Sequence, residues 1–190
     1  NDDMFLIKKS SPKEWFIENK AVLSGNWAKT YNIQPLKKIS NMIKHVFKTR
    51  PSYNAAQSRS ANIAGFKRKY FRSYHSGRPQ IKSIIKSFYE KNPNMLKKQL
   101  KHKFRNDKQY MPYSLCWHLL IKEEKYVKVS KSKLVEIEKI RDYTPRKLKE
   151  LLNELDNNEE VKLLNIQDLN YASEDTNMVF KNWFFNKLTN

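Results

Sequence analysis

The chain has 190 residues, 38 Lys plus Arg against 19 Asp plus Glu, and a formal charge of +19, so an anionic partner is expected: nucleic acid, a phosphorylated substrate or an anionic membrane face. Its 39% hydrophobic and 13% aromatic content excludes a disordered basic tail. Three isolated glycines exclude a Gly-rich phosphate loop, one cysteine excludes an internal disulfide, and no apolar run approaches the ~18 residues of a membrane span.

The chain opens on Asn1-Asp2-Asp3 and runs into apolar Met4-Phe5-Leu6-Ile7, which puts two carboxylates at the lip of an apolar run. Ser11-Pro12-Lys13-Glu14 combines a cap, a proline for the first helical position and a capping-box glutamate. It predicts a short helix carrying Trp15 and Phe16 and ending near Asn19. Leu36, Ile39, Ile43 and Phe47 predict a helix over Gln34–Lys48, broken by Arg50-Pro51-Ser52. Residues 54–73 read as a second, basic helix with Ile63, Phe66, Tyr70 and Phe71 on one side. His75-Ser76-Gly77-Arg78-Pro79 is a loop by its Gly and Pro.

Gln80–Lys91 is amphipathic through Ile81, Ile84, Ile85 and Phe88, and Asn92-Pro93-Asn94 parts it from a helix over Met95–Phe104. Met111–Ile121 reads as a core helix that buries Cys116, with His118 a packing or surface histidine. Tyr126–Val129 and Leu134–Ile137 alternate as short strands. Thr144-Pro145 starts a helix through Leu148, Leu151, Leu152 and Leu155. Val161–Ile166 is a buried strand ending in Gln167-Asp168, and Glu174–Leu188 is a final helix with Val179, Trp183 and Phe184 inward. The fold class is therefore α/β, a helix-rich α+β chain of about seven helices and a few strands.

Polar clusters follow apolar elements at Asn1-Asp2-Asp3, in the His75 loop, at Lys103-Phe104-Arg105-Asn106-Asp107 and at Gln167-Asp168. As chemistry they suit phosphoryl transfer. Asp2 and Asp3 supply hard oxygens for Mg²⁺ or Mn²⁺, Arg105 offers a planar fork for phosphate oxygens, and His75 titrates where it can take a hydroxyl proton. A different class, a basic nucleic-acid-binding module, is suggested by the interleaved Phe66-Lys67-Arg68-Lys69-Tyr70-Phe71-Arg72. No recognised nucleic-acid motif accompanies that stretch, and a solvated or membrane-facing amphipathic helix is its simpler reading.

The chain resembles the Stealth family of sugar-phosphate transferases, which includes bacterial capsule and exopolysaccharide phosphotransferases and the animal N-acetylglucosamine-1-phosphotransferase. The end of that family's second region is similar to Asn1-Asp2-Asp3-Met4-Phe5 followed by Ser11-Pro12 and Trp15-Phe16, within residues 1–20. Its third region is matched across 70–122 by His75, Pro79 and Lys82, then by Phe104-Arg105 with Asp107 close behind. Its fourth, a strand ending in Ile-Asn-Asp before an amphipathic helix, is matched within 160–190, with either Gln167 or Asn165 in the Asn position.

The resemblance implies that residues 1–190 are the C-terminal portion of one catalytic domain, inactive by itself because the donor half lies upstream. It implies transfer of a sugar 1-phosphate from a UDP- or CMP-linked donor to a glycan hydroxyl in capsular or exopolysaccharide synthesis. The setting would be cytoplasmic, with peripheral contact at the inner membrane face. Asp2 and Asp3 would hold Mg²⁺ or Mn²⁺, and Asn1, Arg105, Gln167 and Asp168 would bind substrate. His75, Arg105 and Asp3 would carry the chemistry, the general base being left open.

Overall fold

The computed structural model describes residues 2–30, 52–74, 77–103, 106, 108–129 and 133–189, with backbone alone at Asp2 and Asp3. In chain order these form β1 (Asp2–Leu6), β2 (Phe16–Ile17), β3 (Lys20–Lys29), α1 (Tyr53–Ala64), β4 (Lys69–Ser73), α2 (Lys82–Lys91) and α3 (Pro93–Leu100). There follow α4 (Pro112–Lys122), β5 (Tyr126–Val129), β6 (Leu134–Ile137), α5 (Pro145–Asn157), β7 (Leu163–Gln167) and α6 (Glu174–Thr189). The chain is mixed α/β, as its periodicities predict. The helix expected over Gln34–Lys48 lies outside the described residues.

The chain divides into an end unit, drawn from Asn1–Pro12, His75–Gly77 and Lys131–Asn190, and a central unit, Lys13–Tyr74 with Arg78–Ser130. In the end unit the strand order is β1-β7-β6, with β1 antiparallel and β6 parallel to β7. Parallel neighbours need a long crossover, and α5 supplies it between β6 and β7. Leu148, Leu152 and Leu155 recur along one face of α5 and are buried against Ile137, Leu164 and Ile166 of the sheet. Thr144 caps α5 by accepting the Lys147 N–H, and Pro145 fills the first turn. At its other end the Lys8 ammonium donates to the carbonyls of Asp156 and Asn158, where a cation offsets the helix dipole.

α6 closes the same core. Phe180 is buried, Phe5 meets Phe180 and Phe184 edge-on at 5.2 and 4.8 Å, and Trp183 donates to the Asp156 carboxylate. The expected inward set of Val179, Trp183 and Phe184 is only half-buried, because α6 lies along the rim of the core around Phe180.

The central unit departs from its local signals. The Ser11-Pro12-Lys13-Glu14 signal yields only a 3₁₀ turn at Pro12–Glu14; no helix follows. Glu18 and Asn19, both at positive φ, instead make a two-residue hairpin loop joining β2 to β3, with Ile17 opposite Lys20. β3 was not foreseen. It pairs with β2 antiparallel, with β5 parallel and, through its second half, with β4. The basic helix expected over 54–73 ends at Ala64, where Gly65 takes φ 105 as an αL cap, and Lys69–Ser73 is the strand β4.

Gly25 sets the β3–β4 approach. A Cβ there would stand 2.3 Å from the Arg72 carbonyl oxygen and 2.7 Å from the Phe71 ring, so no other residue fits without a shift. α2, α4 and β5 fall where the sequence puts them; the helix expected over Met95–Phe104 is α3, which starts within the expected break at Pro93 and ends at Leu100. α4 carries the core of this unit: Cys116, Trp117 and Leu120 are buried against Leu23 and Phe71, and Leu115 is buried with Ala64 and Tyr110.

Candidate functional site

The late strand and the first strand meet in register. Asp2 is paired with Gln167, Asp3 with Ile166 and Met4 with Asn165, so the acidic opening and the polar end of β7 lie at one end of the sheet. The acids are themselves strand residues; β1 begins at Asp2 rather than at the apolar run that follows it. Period two puts Asn165 and Gln167 on the sheet face opposite Leu164 and Ile166, and Glu136 joins them from β6. Its Oε1 accepts from Gln167 Nε2 at 2.6 Å and from Asn165 Nδ2 at 3.2 Å. Asn165 is fully buried, and its Oδ1 has no donor among the described residues. Asp168 follows at φ 59, ψ 36, a left-handed conformation that Asp tolerates, and its carbonyl accepts the Tyr171 N–H in a 3₁₀ turn.

Of the expected site residues, the structure therefore pairs Asp2 with Gln167, with Asp3 next along β1 opposite Ile166 and Asp168 following Gln167 in the turn. Asn1, His75 and Arg105 lie outside the described residues. Glu136 was missed, although its polar place in the alternating Leu134-Val135-Glu136-Ile137 marks it as the residue on the non-core face.

A second polar cluster, in the central unit, gathers around Ser73 and Arg78. Ser73 ends β4; its N–H and its hydroxyl are 2.9 and 3.0 Å from Gln57 Oε1. Its oxygen also lies 3.2 and 3.3 Å from the hydroxyls of Tyr113 and Tyr53. Arg78 donates through Nη2 to Tyr53 Oη at 3.1 Å, and Trp117 donates to the Pro79 carbonyl at 2.8 Å. Burial, and then the neighbouring Tyr53, push the Tyr113 phenol up, so it stays a neutral hydrogen-bond donor. These contacts tie Ser73, Arg78 and Pro79 to α1 and α4. Only Arg78 lay within a quoted sequence motif; Tyr53, Gln57 and Tyr113 carry no sequence signal beyond residue type.

No family model, curated protein or solved structure matches this chain.

His118, which received no role, is a structural group. Its Nδ1 lies 2.6 Å from the Ser114 carbonyl and its Nε2 accepts the Phe71 N–H at 2.9 Å, which fixes the neutral tautomer. Burial pulls its pKa down to about 4. Cys116 is buried, and desolvation pushes its thiol up to about 11, away from reactivity. Among the described residues no helix is long and apolar enough to cross a membrane.

Proposed function

We propose that this chain is the C-terminal part of a sugar-phosphate transferase like those of the Stealth family, moving a sugar 1-phosphate from a UDP- or CMP-linked donor to a glycan hydroxyl. The supporting observation is the β1–β7 register, in which Asp2 of the first family-like block is paired with Gln167 of the last, from opposite ends of the chain. In this reading Asp3, His75 and Arg105 serve the reacting phosphoryl group, while Asn1, Gln167 and Asp168 shape the substrate site. Glu136 orients Gln167 and Asn165 by accepting from both amides.

Among the described residues no group of three or more His, Cys, Asp or Glu side chains is placed to hold a metal. The donor chemistry at this end of the β1–β7 pair nevertheless fits a hard divalent cation. Asp2, Asp3 and Asp168 are carboxylates, and the buried Asn165 Oδ1 is an oxygen lacking a donor. From the Gln167 face Asp2 would hold Mg²⁺ or Mn²⁺, which when bound supplies charge neutralisation at the transferring phosphoryl group. Asp3, expected to share that ion, is opposite Ile166 and alternates to the other face of the strand. The acid-poor central unit suits peripheral contact with an anionic leaflet. The nucleic-acid reading loses its aromatic platform, since Tyr70 and Phe71 are core residues and Phe66 packs on Trp27.

The test is release of UMP or CMP by the complete gene product across a panel of nucleotide sugars. Turnover that EDTA stops and Mn²⁺ or Mg²⁺ restores is expected, with a loss of about 10²-fold or more in Asp3→Ala and His75→Ala. Metal-independent release, or undiminished release by the Asp3 variant, overturns the assignment.

A further inference from the structure

We propose that Arg78 anchors a phosphate-binding site in the central unit, built with Tyr53, Tyr113, Ser73 and Gln57. This site stands on the geometry of that unit and does not rest on the transferase reading.

Arg78 is held in place. Its guanidinium carbon lies 4.3 Å from the centre of the Tyr113 ring and 6.0 Å from that of Tyr53, while Nη2 bonds the Tyr53 hydroxyl. The phenols are themselves tied, Tyr113 donating to Tyr53. Stacking plus one directed hydrogen bond fixes the plane of the fork before any ligand arrives, which lowers the ordering cost of binding.

Among the described residues nothing neutralises the charge on that fork. Arg78 has no carboxylate within ion-pair distance among the described residues, whereas Arg146 is paired with Glu150 at 2.9 Å. The surrounding sequence has none to offer: from Asn19 to Tyr89 there is no Asp or Glu. A half-buried cation without a counter-charge is costly unless something anionic meets it.

The hydrogen-bond ledger of the cluster points the same way. Arg78 Nε is sealed from solvent with no acceptor among the described residues. Gln57 is fully buried; because its Oε1 must accept the Ser73 N–H, its amide orientation is fixed, and Nε2 is left as a donor without an acceptor. The surplus is of donors and positive charge, so the missing component is an oxygen-rich anion. Nη1 is the nitrogen of the fork that is neither bonded nor sealed among the described residues, and it is the approach for that anion. A phosphate ester or diphosphate matches an arginine fork better than a halide does, because its oxygens accept from directed N–H groups.

The test uses the full chain at constant ionic strength, with inorganic phosphate and pyrophosphate as soluble probes and phosphatidylglycerol against phosphatidylcholine vesicles as the lipid arm. Titration calorimetry and the thermal midpoint are read for wild type, Arg78→Met, Arg78→Lys, Tyr53→Phe and Lys67→Gln. The expected result is that pyrophosphate raises the wild-type midpoint and Lys67→Gln binds within about twofold of wild type. Arg78→Lys should bind about tenfold more weakly, since a point charge replaces the fork, and Arg78→Met should show no binding. If only phosphatidylglycerol vesicles bind, and bind through Arg78, the phosphate site stands with a lipid headgroup as its source. Should Arg78→Met fail to fold, Arg78→Lys and Tyr53→Phe carry the test, and unchanged affinity in both overturns the proposal. Equal losses in Arg78→Met and Lys67→Gln also overturn it, because they would reveal a diffuse basic surface.

Discussion

The end unit and the central unit solve opposite electrostatic problems. Residues 13–130 carry 26 Lys and Arg against 6 Asp and Glu, whereas the remainder carries 12 against 13. In the end unit, charge is spent internally: Lys8 meets Glu159, Lys187 meets Asp156 at 2.7 Å, and Arg146 meets Glu150. In the central unit the basic residues far outnumber the acids they could pair with, so most of its positive field is left for something outside the protein. The difference teaches that the net charge of +19 belongs to one half of the molecule. Its core tolerates this because Trp117, Phe71, Leu23 and Leu120 hold it together without charge.

The comparison can be broken most severely at the cores. Trp117→Ala should remove about 3–5 kcal/mol, since that indole is buried and also donates to Pro79. Leu164→Ala in the end unit should cost about 2–5 kcal/mol. Hydrogen exchange read by mass spectrometry checks both, with each loss of protection expected first in the unit that carries the substitution.

Acid should separate the units next. The His118 value of about 4 in the folded chain lies below its ordinary 6.5, so the unfolded chain takes up its proton first. The neutral histidine's contribution is whole above 6.5 and is lost as pH falls toward 4, about 3 kcal/mol in all. Urea midpoints measured across that window should fall with acid, and His118→Gln should flatten the slope while still offering Phe71 an acceptor. An unchanged slope would remove His118 as its source.

Charge itself gives a gentler contrast. Neutralising Lys67, Arg68 and Lys69 together should lower the salt needed for elution from a phosphate cation exchanger more than neutralising Arg146, Lys147 and Lys149, although each set removes three charges. Equal shifts would mean that only total charge matters. The smallest effect expected is at a helix end: Thr144→Ala deletes the acceptor for the Lys147 N–H and should cost about 1 kcal/mol in urea titration.

Much of this fold was legible from residues alone, and the parts that were share a cause. α2, α4, α5, β5, β6 and β7 each carry their own period, cap or breaker within a dozen residues, and local signals suffice where the element buries the face that its pattern defines. The Thr144-Pro145 start is the clearest instance. At Ser11-Pro12 the same kind of signal produced one 3₁₀ turn, because pairing with β3 outweighed a capping box. Likewise Phe66, Tyr70 and Phe71 look like one face of a helix, yet Gly65 ends α1 before them and Tyr70 and Phe71 enter a strand opposite Ala28 and Trp27.

The site divides along the same line. Residue type marked Asp2, Asp3, Gln167 and Asp168 as polar ends of apolar runs, and it marked the loop holding Arg78. The sequence by itself thus determined the α/β class, most helices, the excess of basic residues and the oxygen- and nitrogen-bearing groups available for chemistry. Only the tertiary structure decided that Asp2 is paired with Gln167, that Glu136 bonds two amides of β7, and that Arg78 is stacked on Tyr113 with no counter-charge among the described residues. Those outcomes depend on strand register and on contacts between residues dozens of positions apart, which no local periodicity encodes.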